Sequence, residues 1–327
     1  MSASVILVTG GAGFIGSHVC KQLAREGFQP LVIDDLSTGH EEAVRWGPLV
    51  QIDVRDTDRV TEVLQQFQIE TVMHFAASAY VGESVMQPLR YYDNNVGGMI
   101  SLMKACQQAD VSRVIFSSSC ATYGAPSHQP IGEETLQTPT NPYGRTKLAC
   151  EQILRDVGRA NGMRHAILRY FNAAGCDPEG ELCERHDPET HIIPLALMTA
   201  AGQRQQFSVF GRDYATPDGT CVRDYIHVTD LAVGHVAALK HLLSGGESLS
   251  VNLGTGHGHS VLEIINKIEQ MATCKMPVVF EDRRAGDPPI LVADPDRARD
   301  LLGFQARHSQ LETILRDAAP SFGVHVS

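Results

Sequence analysis

The sequence is short of several features that would take a chain out of the ordinary soluble class. No apolar run reaches the roughly 18 residues of a membrane helix, so no membrane partner is expected. The eight cysteines are scattered with no C-x-x-C pair. Free thiols in the cytoplasm are the expectation, and no metal. Basic residues are outnumbered, 27 Lys and Arg against 38 Asp and Glu, for a net charge of −11. That disfavours a nucleic-acid partner, which selects a basic surface. It leaves room for an anionic small ligand, because local arginines can bind phosphate within an acidic protein. The chain enters an apolar strand pattern at Val5, which leaves no space for a signal peptide ahead of it. Neither an internal repeat nor a low-complexity segment interrupts it.

What is present is a chain of 327 residues, 43% hydrophobic and 20% charged, long enough to bury a large core in two lobes. Short apolar strands alternate with helical runs through the first half: Val5–Val8, Leu31–Ile33, Leu49–Asp53, Thr71–Phe75, Val114–Ser117 and Ala166–Tyr170. The alternation predicts an α/β fold, a doubly wound parallel sheet of Rossmann type. The first strand runs into Thr9-Gly10-Gly11-Ala12-Gly13-Phe14-Ile15-Gly16, and a helix is predicted over Ser17–Glu26. Strand, glycine turn and helix together form a dinucleotide cradle, here spaced G-x-x-G-x-x-G. Gly10, Gly13, Phe14, Ile15 and Gly16 are its candidates. The next strand ends in Asp34, whose carboxylate would accept a ribose 2′-hydroxyl and repel a 2′-phosphate, so NAD is expected over NADP.

Two further stretches carry chemistry. In Asn141-Pro142-Tyr143-Gly144-Arg145-Thr146-Lys147, proline marks a helix start, and Tyr143 and Lys147 share a helix face. An ammonium beside a phenol is expected to lower the phenol's pKa and make Tyr143 a general acid–base. The strand Arg113–Phe116 ends in Ser117-Ser118-Ser119, where such sheets bind ligands, so Ser119 is expected to hydrogen-bond the same substrate oxygen as Tyr143.

TGGAGFIGSH, SSSCATYG, NPYGRTK, RYFNAAG, DGTCVRDYIHVTDLA and RRAGDPP, in order from residue 9 to residue 289, resemble the extended short-chain dehydrogenase/reductases and, among those, the UDP-glucose 4-epimerases. The resemblance implies a cofactor groove lined by Asp53, Val54, Phe75, Ala76, Ala77, Asn94, Ser117 and Tyr170 as well as by the glycine turn, Asp34, Tyr143 and Lys147. It implies NAD held tightly and recycled in place. On the substrate side it assigns Arg223 and Arg284 to the diphosphate, Asn172 to the diphosphate or sugar, Asp287 to the ribose and Phe210 to the uracil. His191 stands where some members have asparagine. Leu291 matches a position that sets the room beside the sugar's C2 substituent. The implied reaction interconverts UDP-glucose and UDP-galactose through a 4-keto sugar, with Tyr143, Ser119 and Lys147 as catalytic residues; UDP-pentoses or UDP-N-acetylglucosamine are the alternative substrates.

The resemblance also implies an NAD-binding domain of residues 1–171 plus 224–254 and a discontinuous substrate domain of 172–223 plus 255–327. It implies a homodimer built on two long helices, 88–109 and 142–160. Relatives that eliminate water or carbon dioxide carry an acid just after the serine; here Cys120-Ala121-Thr122 has none. Regulators that only sense NAD tend to lose the Tyr/Lys pair, which this chain keeps. The family often has a lysine in the loop before Val81; here Ser78-Ala79-Tyr80 stands there.

Overall fold

The computed structural model describes residues 4–284 and 287–326. Ala285 and Gly286, inside the RRAGDPP stretch, lie outside the described residues, as do the first three residues and Ser327 of the expected domains. Seven parallel strands form the main sheet. Six are β1 (Val5–Thr9), β2 (Gln29–Asp34), β3 (Leu49–Gln51), β4 (Thr71–His74), β5 (Arg113–Ser119) and β6 (Arg164–Tyr170), and the seventh is Leu249–Leu253. From one edge the order is Leu249–Leu253, β6, β5, β4, β1, β2, β3. The chain reverses direction of winding between β1 and β4, so a crevice opens at their carboxyl ends, where such sheets bind ligands.

The central strands are apolar on both faces because helices cover both. One layer packs Ile6, Val8, Val32, Ile115 and Leu168 against Val19 and Leu23 of α1 (Phe14–Arg25) and against Leu231, Leu239 and Leu242 of the helix Val228–Leu243. The other packs Leu7, Ile33, Val72 and Phe116 against Val60, Leu64, Leu102 and Leu154. A third core lies away from the sheet, around Ile193, Leu197, Phe207, Ile264, Ile268, Ile314 and Leu315. It belongs to the helices Ile192–Ala200, Val261–Ala272 and Leu311–Ala318, with two small sheets beside them.

Three elements differ from the sequence pattern. The first helix begins at Phe14, not Ser17, because the glycine turn leads straight into it with Gly13 as N-cap, so Phe14, Ile15 and Gly16 form its first turn. The run expected as one helix over 88–109 is α-helical at Pro88–Tyr91, π-helical at Tyr92–Gly97 and α-helical again at Gly98–Gln108. Asn95 lies within the wide turn. Its buried side chain donates to Ser78 O and Thr146 Oγ1, both at 3.0 Å, and accepts from Ser78 N at 2.8 Å. Such π-helical turns gather at functional sites. The third difference is β5, which runs to Ser119, so all three serines are strand residues.

Candidate active site

The glycine turn is as tight as the backbone permits. Gly10 has φ +71°, and a Cβ there would stand 2.6 Å from Ala76 N. A Cβ on Gly16 would stand 2.2 Å from Gly10 O. Only glycine fits either place. Gly13 is different: nothing nearer than 3.4 Å faces its Cβ position, and no side chain caps the helix it opens. The first-turn amides of Phe14, Ile15 and Gly16, with the positive end of the helix dipole, are thus available to an anion. Asp34 closes the far side. Its buried carboxylate accepts from Ala12 N at 3.0 Å and Leu36 N at 2.9 Å. Burial lifts its pKa above the usual carboxylate value against those two bonds.

Ala76 and Ala77 follow β4 and are partly open, and the Phe75 ring rests 4.8 Å from that of His235. Asn94 lies on the π-helical turn and donates to Ser78 Oγ at 3.1 Å. The Asp53 carboxylate is engaged by Arg55, whose Nε lies 3.0 Å from both its oxygens, which holds its pKa low. Val54 is buried beneath Gly98. The amides and small residues at 10–16 and 76–77 fit a dinucleotide pyrophosphate, and Asp34 and Lys147 fit its riboses.

Tyr143 and Lys147 come from the first two turns of the helix Pro142–Asn161, capped by Asn141 Oδ1, which accepts from Gly144 N at 2.9 Å. Alternation along β5 puts Ser117 and Ser119 on one side and Ser118 on the other. The Ser117 hydroxyl bonds the Tyr170 phenol, and Ser117 O accepts from Lys147 Nζ at 2.8 Å. Ser119 is 8% exposed, its hydroxyl accepts from Ala121 N at 3.2 Å, and it lies close enough to the Tyr143 phenol, itself 9% exposed, to lower that group's pKa. Ser118 donates instead to buried Glu151 at 2.6 Å.

The fold works against the expected lowering of the Tyr143 pKa. Burial pushes the phenol up, the Tyr170 ring adds to the rise, and the bond from Ser119 only partly offsets it. Lys147 Nζ is 5.9 Å from the centre of the Tyr143 ring and is itself desolvated, its pKa lowered by burial to about 8. At neutral pH the lysine still carries its charge, but at this distance that charge does not outweigh the burial of the phenol.

The substrate-side residues fall into several local contacts. Arg223, 8% exposed, pairs with Asp287. The exposed Arg284 lays its guanidinium over the Phe210 ring at 4.0 Å. Asn172 begins a two-stranded pairing, its N–H donating to Asp224 O at 2.9 Å. Leu291 is buried with Cys120, Tyr123, Ile131, Phe171 and Ala293, directly behind the end of β5. His191 turns Nδ1 towards Glu184, 2.7 Å away, so only Nε2 is left for a substrate.

A family model described as the NAD dependent epimerase/dehydratase family matches residues 6–254. The UDP-glucose 4-epimerase of Rhizobium meliloti (strain 1021) is 53% identical over 308 residues, 94% of each chain. This chain belongs to the UDP-glucose 4-epimerase family. The crystal structure of the Brucella ovis UDP-glucose 4-epimerase in complex with NAD superposes with a TM-score of 0.97 at 56% identity, covering 99% of this chain and 100% of that one. The Stenotrophomonas maltophila UDP-glucose-4-epimerase, solved with bound NAD and formylated UDP-arabinopyranose, gives 0.95 at 40% identity, 98% of each chain covered.

Sequence reasoning passed over the polar frame beneath the epimerase site. Glu151, fully buried, receives two bonds from Arg169, at 2.9 and 2.7 Å, and one from Gln137 at 3.1 Å. With Ser118, this frame clamps the helix of Tyr143 to β5 and β6. The signal was an arginine inside an apolar strand, and a glutamate one turn after Lys147. Lys21 was missed too: it is buried at the back of α1, with Asp177, Glu179 and Glu181 at 2.7, 2.9 and 2.6 Å.

Proposed function

We propose that this chain interconverts UDP-galactose and UDP-glucose by transient oxidation at C4 of the sugar. The observation that carries the reading is the nearness of Ser119, at the carboxyl end of β5, to the buried Tyr143 phenol, in a parallel sheet whose first strand leads into the glycine turn. Bound NAD supplies the acceptor, and then the donor, of the C4 hydride. Tyr143, as phenolate, takes the proton of the 4-hydroxyl while Ser119 holds that oxygen. Lys147 sits one turn along, its ammonium donating to Ser117 O, and would hold the nicotinamide ribose. Its charge, with that of the oxidised nicotinamide, is what the buried phenol needs in order to ionise. The 4-keto sugar turns over within the pocket, and Tyr143 returns the proton once the opposite face presents itself. Arg223, Arg284, Asn172, Asp287 and Phe210 anchor the UDP and leave the hexose free to rotate.

The turn Cys120–Thr122 after Ser119 contains no acid, so water is not expelled from the ketone. Leu291, lodged between Cys120 and Phe171, favours hexoses without a bulky C2 substituent. Among the described residues no helix is long and apolar enough to cross a membrane. The scattered free thiols lead us to place the enzyme in the cytoplasm. Val85, Met86, Leu89, Tyr92 and Ile100 are exposed along the 81–108 helical run, at 59, 81, 82, 39 and 42%. A second copy covering this face gives the homodimer expected from the family. The deciding experiment incubates the purified protein with UDP-galactose and follows the products by chromatography and mass. UDP-glucose of unchanged mass supports the reading; no product, or one lighter by a water, overturns it.

A further inference from the structure

The irregular segment between residues 176 and 191 contains a compact set of donors outside the catalytic trio. One ligand atom each from Glu184, His186, Glu189 and His191 lies within 4.8 Å of all the others. His186 Nδ1 stands 3.3 Å from Glu184 and 3.6 Å from Glu189. His191 Nδ1 stands 2.7 Å from Glu184 and 3.3 Å from Glu189. These approaches are not aligned hydrogen bonds. Glu184 Oε1 and both Nδ1 atoms are shut away from solvent with no hydrogen-bond partner. The Glu184 side chain is 3% exposed and that of Glu189 9%. Buried polar atoms left so are costly, and three of them gathered beside the Glu189 carboxylate call for an occupant. The neighbouring cluster of Asp177, Glu179 and Glu181 already has one, the Lys21 ammonium.

We propose that Glu184, His186, Glu189 and His191 form a binding site for a divalent transition-metal ion, with zinc the best fit. Four ligands at the usual zinc distances of about 2.0–2.2 Å around a tetrahedron stand roughly 3.3–3.6 Å apart, the spacing of most of these pairs. Two imidazoles and two carboxylates suit zinc, whereas magnesium and calcium want oxygen alone. Two carboxylates also cancel the ion's charge, which a buried site requires. The ligands fall at Glu-x-His-x-x-Glu-x-His, so one ion knots a single short loop. The His186 ring lies edge-on to Phe14 in the first turn of α1, at 6.3 Å, and to Tyr80, at 5.8 Å. The knot therefore braces the rim of the cofactor cradle, beside the loop that lacks the family's lysine. The sequence raised no expectation of a metal, because its cysteines lack ligand spacing.

The test uses the full-length enzyme and does not depend on its activity. Protein is dialysed against a chelator, incubated with zinc, desalted and analysed for metal by atomic emission. One zinc per chain is expected, and cobalt in its place should give the visible absorption of a four-coordinate site. His186→Gln and Glu189→Gln should each weaken zinc binding by more than the 10–100-fold loss typical of an outer-shell partner. Circular dichroism and NAD content check that both variants fold. Wild-type protein that retains no zinc and gives no cobalt spectrum, or folded variants that bind zinc as tightly as wild type, would overturn the proposal.

Discussion

Replacing Lys147 by methionine should make the cofactor-free protein more stable while destroying its activity. The lysine is 3% exposed, with its ammonium held by Ser117 O at 2.8 Å. Burial lowers its pKa from 10.5 to about 8. At about 1.4 kcal/mol per unit, the folded protein bears roughly 3 kcal/mol for keeping this side chain charged at neutral pH. Methionine fills nearly the same space without that cost. It forfeits one hydrogen bond, about 1 kcal/mol. The net gain is about 2 kcal/mol, a rise of a few degrees in melting temperature. The pH dependence distinguishes this account from a packing effect. Between about pH 8 and 10.5 the folded lysine binds fewer protons than the unfolded one, so wild-type stability rises relative to the variant and the gap closes. Below pH 8 the gap is full. The assay is thermal unfolding of both cofactor-stripped proteins at several pH values, with epimerase turnover beside it. A variant less stable than wild type at pH 7, or a gap indifferent to pH, would refute the reasoning.

Other outcomes follow from the same geometry. Tyr143→Phe should lower kcat by about 10²–10⁴-fold, the worth of a general acid–base, with UDP affinity measured by calorimetry little changed. Leu291→Ser should improve kcat/KM for UDP-N-acetylglucosamine relative to UDP-glucose, by up to the roughly 5- to 150-fold that 1–3 kcal/mol of relieved crowding allows; unchanged selectivity would place the gate elsewhere. NAD should be released on denaturing protein purified without added cofactor, and its absence would show that the cradle does not retain it. Light scattering at micromolar concentration should give a dimer mass that falls to the monomer in Met86→Glu/Leu89→Glu.

The local chemistry was written in the sequence because it depends on near neighbours. A strand, a glycine turn and a helix follow one another at Val5–Arg25 whatever surrounds them, and Tyr143 and Lys147 share a face on any helix that Pro142 starts. The parallel sheet follows from the alternation of strands and helices. The tertiary structure decided what depends on residues far apart. Ser117, Ser118 and Ser119 read alike in a row, and only the extension of β5 and the pleat give the first to Tyr170, the second to Glu151 and leave the third beside Tyr143. The wide turn at Tyr92–Gly97 holds Asn95, whose side chain reaches Ser78 and Thr146, contacts no helical periodicity contains. The state of the Tyr143–Lys147 pair likewise belongs to the fold. Spacing promised an acidic phenol beside a charged lysine, but burial desolvates both and shifts each away from ionisation, because the energy of a charge is set by the medium closing around it rather than by its place in the chain.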